Sequence, residues 1–221
     1  MIADGAAAQY VAAPAEALVA APQSVDLADA AALPTVGLTA WQALFDIAQL
    51  QPGQTILING AGGAVGGYAI QLAKQAGAVV TATVSARSAD RVRRQGADVI
   101  IDHIDFAATP IAVTGAPFDV VLNLIGTTAE ETDALLAVVK DGGFHIGTMT
   151  SGPENPERGV RTQRMFVRSD PAQLAELVRR VDAAELSVDV ADRRQLSEIA
   201  AVHSDSDANR LTGKTILLPP A

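Results

Sequence analysis

Between residues 54 and 168 the chain alternates short, almost wholly apolar runs with longer stretches of helical periodicity. Residues 54–59 (QTILIN), entered after the turn signal Gln51-Pro52-Gly53, predict a strand. Residues 65–75 predict a helix, with Val65, Ala69, Leu72 and Ala73 on one face and Gly77 as its stop. Further strands are predicted at 78–84 (AVVTATV), 98–102 (DVIID), 118–126 (FDVVLNLIG), 144–149 (FHIGTM) and 164–168 (RMFVR). A helix over 88–94 ends at Gly96. The next opens at Thr127 or Thr128, with Glu130 and Glu131 in capping-box spacing, and runs to about Lys140 before Asp141-Gly142-Gly143. Asp170 and Pro171 then open another, as N-cap and first helical residue.

Apolar strands alternating with helices predict an α/β fold, a doubly wound parallel sheet of six strands with right-handed crossovers. Ligands of such sheets bind beyond the carboxyl ends of the strands. The loop over 59–66 lies at that edge. The flanks, 1 to about 33 and about 186 to 221, read as irregular pieces holding short strands, AAQYVAAP and GKTILLP.

That loop carries the most informative local pattern. Started at Gly60, the dinucleotide fingerprint Gly-x-Gly-x-x-Gly fails, because its third glycine position falls on Val65. One residue later it reads Ala61-Gly62-Gly63-Ala64-Val65-Gly66, or Ala-x-Gly-x-x-Gly. Ala61 is small enough for the tight turn, Gly63 admits a pyrophosphate close to the backbone, and Gly66 lets helix and strand pack closely. Amides at the helix start complete an anion site. The alternative is a close-packing turn with no ligand. No Gly-Lys-Ser/Thr follows, which excludes a Walker loop.

Cofactor choice is read at the end of the second strand. A carboxylate there would hold the ribose hydroxyls of NAD. The chain instead has Ser85, Ala86, Arg87 and Ser88, with no acid until Asp90. Hydroxyls and a guanidinium suit a 2′-phosphate, hence NADP(H). The same missing acid weighs against S-adenosylmethionine.

Composition narrows the remaining chemistry. With no cysteine there is no disulfide, thiolate nucleophile or cysteine-ligated zinc in this chain. A net charge of −9 weighs against nucleic acid and anionic membranes as partners. No apolar run approaches the ~20 residues that span a bilayer. The amino-terminal residues lack the pattern of a secretion signal, so a cytoplasmic protein is expected. His103, His145 and His203 are dispersed and predict no metal site. Arg91, Arg93 and Arg94 read as a solvated helix face that could assist phosphate binding.

Four segments together, GLTAWQALF (37–45), QPGQTILINGAGGAVGGYAIQLAK (51–74), VVTATVSARSADRVRRQGADVIID (79–102) and FDVVLNLIG, resemble the zinc-independent medium-chain dehydrogenases/reductases, most closely the quinone oxidoreductase, zeta-crystallin-like branch. The resemblance runs from about Gly5 to the end. It implies a Rossmann domain that binds NADPH and passes hydride to a quinone or another electron-poor alkene. It implies Thr39 near the nicotinamide; Ala61, Gly63, Ala64, Val65 and Gly66 at the pyrophosphate; and Ser85 and Arg87 at the 2′-phosphate. Leu124, Ile125 and Gly126 would flank the ribose and nicotinamide. Gly147 and Thr148 would approach the carboxamide, and Met165, Phe166 and Val167 the nicotinamide ring. His103 stands where relatives often carry Tyr beside adenine. Lys214 matches a lysine common near the family's carboxyl terminus. Members pair into homodimers through an edge strand, here expected near 161–168.

Relatives carry a GroES-like β domain ahead of the Rossmann domain, and most of it has no counterpart here. The expected organisation is a remnant of that domain and the crossover over 1–32, an NADPH-binding domain over 33–185, and a carboxyl-terminal remnant over 186–221. A piece of a longer enzyme that binds NADPH with little reductase activity is the leading expectation. A non-catalytic NADPH-binding sensor or scaffold module, or an enoyl-reductase domain of a larger synthase, are the alternatives.

Overall fold

The structure, a computed structural model, describes residues 7–220, so the first six residues of the expected amino-terminal remnant lie outside it. The chain divides into two compact units, Thr39–Phe166 on the one hand and Met1–Leu38 with Val167–Ala221 on the other. Ahead of the sheet lie a short α1 (Leu27–Ala30) and α2 (Pro34–Trp41). Helix α2 continues into a wider turn over Gln42–Ile47, where Trp41 meets Phe45 edge-on at 4.8 Å.

The Thr39–Phe166 unit holds β1 (Thr55–Asn59), α3 (Ala64–Gln75), β2 (Val79–Thr83), α4 (Ala89–Arg94), β3 (Val99–Ile101), β4 (Phe118–Asn123), α5 (Ala129–Ala137), β5 (Val139–Gly147) and β6 (Arg161–Arg164). Its six strands are all parallel, in the order β3-β2-β1-β4-β5-β6. This is the doubly wound Rossmann order, with its switch point between β1 and β4. Ile56, Leu57 and Ile58 are consecutive and fully buried, as are Val121 and Leu122, so both faces of the central strands are covered. Helix α3 packs on β1 and β2, and α5 on β5.

Polar pairs mark both ends of the β1/β4 seam. At the start, the Asp119 carboxylate accepts hydrogen bonds from the Thr55 amide (2.7 Å) and hydroxyl (2.8 Å), and pairs with Lys140 at 2.8 Å. Burial works to raise the Asp119 carboxyl, but Lys140 and Thr55 outweigh it and hold it below the ordinary range. At the end, Asn59 lies opposite Asn123.

Several boundaries differ from the sequence reading: β4 ends at Asn123 instead of 126, and β5 spans Val139–Gly147 where 144–149 was expected. Helix α5 begins as expected, with Thr128 and Glu131 forming a reciprocal capping box, but ends at Ala137 instead of near Lys140. Val139 is fully buried and pairs with Phe118, so the sheet claims it before the Asp141-Gly142-Gly143 stop is reached. The sixth strand lies at 161–164, ahead of the expected 164–168: its polar sequence (RTQR) hides a strand that needs only backbone pairing at an edge. Arg161 and Arg164 lie over the rings of Phe144 and Phe166, at 4.6 and 4.7 Å.

In the other unit, α6 (Pro171–Asp182) has Asp170 as N-cap and Pro171 in its first turn, as predicted. Its far end is tied down by Asp182, which accepts from the Gln23 and Ser24 amides. The GKTILLP segment supplies β8 (Thr215–Leu218), paired in parallel with β7 (Asp192–Gln195) across α7 (Ile199–Asp207). Neither β7 nor α7 was legible as a separate element, because both are largely polar and exposed. Residues 7–14 form no strand, and Tyr10 is 85% exposed.

His145, on β5, is fully buried; its Nδ1 meets the Thr162 hydroxyl at 3.1 Å while its Nε2 has no partner. Burial lowers its pKa to about 4. Below its ordinary pKa near 6.5, the unfolded chain takes up a proton that the folded chain refuses. Stability should therefore be unaffected above pH 6.5, fall by up to about 1.4 kcal/mol per unit from there to pH 4, and level off below. Denaturant titrations of wild type and His145→Leu across this window check it, the variant losing one proton's worth of slope. A second expectation concerns α3. A Cβ on Gly66 would lie 2.2 Å from the Ala61 carbonyl oxygen. Gly66→Ala should cost about 3 kcal/mol or more, as severe overpacking against backbone, read as a lowered denaturation midpoint.

Candidate functional site

The carboxyl ends of β1, β2 and β4 close around a chain of buried polar side chains. The Gly60 amide donates to the Thr83 hydroxyl at 2.8 Å, and that hydroxyl donates to Asn59 Oδ1 at 2.8 Å. Asn59 Nδ2 donates to Asn123 Oδ1 at 3.0 Å, and Asn123 Nδ2 donates to the Ile125 carbonyl (3.1 Å) and to the Thr127 hydroxyl (3.2 Å). Thr132 spends its proton on the Thr128 carbonyl, so Thr127 donates to Thr132 and accepts from Thr150. Thr83, Asn59, Asn123 and Thr132 are at most 2% exposed, and each is hydrogen-bonded.

Around this chain stand the loops the sequence singles out. Ala61 is buried and its amide donates to the Thr83 carbonyl. Gly60 turns with φ +83°, and a Cβ there would meet Ile125 Cγ2 at 2.5 Å. Ala64 and Val65 begin α3, whose N-cap Gly63 offers no side-chain cap to the first amides. A Cβ on Gly63 would meet only the Gly60 carbonyl oxygen, at an ordinary 3.6 Å, and one on Gly126 would meet nothing within 4 Å. The protein's own packing thus demands glycine at 60 and 66 and leaves the space beside 63 and 126 empty. Uncapped amides beside an unfilled cradle fit a bound phosphate, so the residues present fit the pyrophosphate of a dinucleotide.

The other predicted positions follow the same edge. Ser85 is half-buried and Arg87 exposed after β2; His103 is exposed after β3, its amide bonded to Asp102. Leu124 is tied by its amide to the Asn59 carbonyl (2.9 Å), Thr148 to that of Asn123 (3.0 Å) and Met165 to that of Gly147 (3.0 Å). Gly147 is closed to any side chain, because its Cβ would lie 1.6 Å from the Thr150 carbonyl oxygen. Thr39 is buried in α2. Ile125, Met149 and Phe166 leave apolar surface exposed after β4, β5 and β6.

Two predicted positions belong to the other unit. Val167 borders a cavity of about 480 Å³ lined also by Leu18, Pro34, Leu38 and Leu174. Lys214 is half-buried, and burial holds its ammonium below the usual lysine range.

Some residues at this edge escaped the sequence reading. The Asn59–Asn123 pair had a visible signal, because TILIN and DVVLN both end in Asn. Arg91 is not simply a solvated residue on a helix face: its guanidinium donates to the Gly62 carbonyl and braces the glycine loop from α4. Arg93 keeps the surface role, paired with Asp90 at 2.6 Å. Among the described residues no cluster of three or more His, Cys, Asp or Glu could hold a metal, and no helix is long and apolar enough to cross a membrane.

Comparison with known proteins agrees with this geometry. A family model described as zinc-binding dehydrogenase matches residues 95–217. A quinone oxidoreductase of Pseudomonas aeruginosa is 32% identical over 223 residues, covering 92% of this chain and 68% of that protein. A chloroplast envelope quinone oxidoreductase homolog of Arabidopsis thaliana is 46% identical over 104 residues, covering 45% of this chain but 32% of its own length. A mycobacterial protein solved in complex with NADPH superposes with a TM-score of 0.76 at 29% identity, covering 90% of this chain and 66% of that one. The chain therefore spans between a third and about two thirds of these three proteins. By the family model, the relatives and the Rossmann order of its sheet, this chain belongs to the zinc-binding dehydrogenase family of the medium-chain dehydrogenases/reductases, where it resembles the quinone oxidoreductases.

Proposed function

We propose that this chain is the nicotinamide-binding part of a zinc-independent, NADPH-dependent quinone oxidoreductase-like enzyme, with residues 33–185 as its cofactor domain. The observation that carries the reading is the glycine loop at the β1/β4 switch point, with the uncapped α3 amides beside the open cradle at Gly63. In this reading Ala61, Gly63, Ala64 and Val65 hold the pyrophosphate while Gly66 lets α3 approach. Ser85 and Arg87 take the 2′-phosphate, and His103 borders adenine. Leu124, Ile125 and Gly126, with Gly147 and Thr148, flank the ribose and the nicotinamide carboxamide. Thr39, Met165 and Phe166 line the nicotinamide. The exposed apolar surface of Ile125 and Phe166 supports a flat, uncharged ring there.

Bound NADPH would supply the hydride; the protein's part is to orient the ring and exclude water. The acceptor is a quinone or another electron-poor alkene, a reading supported by the quinone oxidoreductase relatives. A homodimer formed through the exposed β6 edge would satisfy that strand's unpaired backbone groups. The absence of cysteine from the sequence fits a cytoplasmic setting.

Calorimetric titration with NADPH and NADH tests the cofactor assignment. NADPH should bind at least about tenfold more tightly, the worth of a charge-assisted contact to the 2′-phosphate, and Arg87→Ala should bring the two together. Equal affinity for both cofactors in the wild type would refute the roles given to Ser85 and Arg87. A separate check addresses the cradle. Gly63 has φ −81° and ψ −179°, which any residue adopts. Gly63→Val should therefore leave the thermal midpoint within a few degrees of wild type and abolish NADPH binding; retained affinity would place the pyrophosphate elsewhere.

A further inference from the structure

We propose that Asn59 and Asn123 are positioning residues that hold the pyrophosphate loop and the nicotinamide loop in one fixed relation; this rests on the NADPH reading above. Each amide reaches one loop and grips the other amide. Asn59 acts through Thr83, whose hydroxyl receives the Gly60 amide, at the left-handed residue where the glycine loop turns. Asn123 acts directly on Ile125, donating to its carbonyl at 3.1 Å with Oδ1 facing its amide at 3.5 Å. The backbones repeat the link, with Leu124 bonded to the Asn59 carbonyl and Thr148 to the Asn123 carbonyl.

Cohesion of the strands does not need this pair. Hydrogen-bonded pairing and the buried residues 56–58 and 120–122 already join β1 to β4. Two apolar residues of similar size would fill the same volume without burying amides. What they could not do is fix the Gly60 turn against Ile125, which approach so closely that no Cβ fits between them. The amide orientations are also determined. Thr83 donates its only proton to Asn59 Oδ1, so Asn59 must donate across the seam, and Asn123 must accept there and donate toward Ile125 and Thr127.

The test separates positioning from mere stability by measuring both in the same variants. Asn59→Leu and Asn123→Leu each strand a buried amide and should lower the thermal midpoint. The double variant strands neither amide but still leaves the Thr83 hydroxyl without its acceptor, so its midpoint should fall by less than the sum of the two single losses. Its affinity for NADPH should stay at least about tenfold below wild type, the scale of one lost charge-assisted contact. Fragments give a second readout. Asn123→Leu should weaken both adenosine 2′,5′-bisphosphate and reduced nicotinamide riboside, which carries no phosphate. Thr83→Val, which keeps shape and removes the link to Gly60, should weaken only the former. Recovery of NADPH affinity together with stability in the double variant would overturn the proposal, and so would fragment affinities untouched by Asn123→Leu. Failure of the wild type to bind NADPH would instead overturn the cofactor reading itself.

Discussion

Registry between β1 and β4 is the constraint on which the rest of this sheet depends. The two strands meet at the switch point, where every loop of the candidate site begins. Apolar residues cannot fix that registry alone, because Ile56–Ile58 and Val120–Leu122 would bury almost as well one step out of phase. The polar pairs at the two ends remove the ambiguity. Thr55 meets Asp119 at the start and Asn59 meets Asn123 at the end. A slip of one residue would break both, taking Thr55 from Asp119 and leaving two buried amides without their partners. Stranding such groups is costly, so specificity comes from polar atoms within a seam whose cohesion is apolar.

The same seam explains where the chemistry-bearing residues lie. Parallel strands all end on one edge, so residues separated by more than a hundred positions arrive together without long loops. The glycine loop, Ser85 and Arg87, His103, Leu124–Gly126, Gly147–Thr148 and Met165–Phe166 each follow the carboxyl end of a different strand. None of them needs a dedicated contact to the others, because the sheet supplies their common frame. Side chains nevertheless tie some of these loops, through the bridge from Thr83 to Asn123 and through Thr127 and Thr150.

Much of this was legible from local pattern. Strands β1 to β4, helices α3 and α4, and the capped start of α5 declare themselves by apolar runs and caps, interactions that close within four residues. What was lost is what depends on distant partners. Val139 continues a helical pattern until Phe118 recruits it to the sheet. RTQR is a strand only because β5 offers it an edge. Arg91 looks like any charged helix residue until α4 is placed against the glycine loop. The asparagines that end β1 and β4 read as strand boundaries, and only the pairing register shows that they face each other.

The glycine loop contains two residues of the same kind under different masters. At position 66 the obstruction is backbone: the Ala61 carbonyl occupies the space a side chain would take, and no change of side chain elsewhere can clear it. At position 63 the protein raises no such objection. A lineage that ceased to hold a nucleotide could drift at 63 and keep its fold, but not at 66. Across descendants of this chain, variation at the first position would mark the loss of a ligand, whereas variation at the second would mark the loss of the architecture.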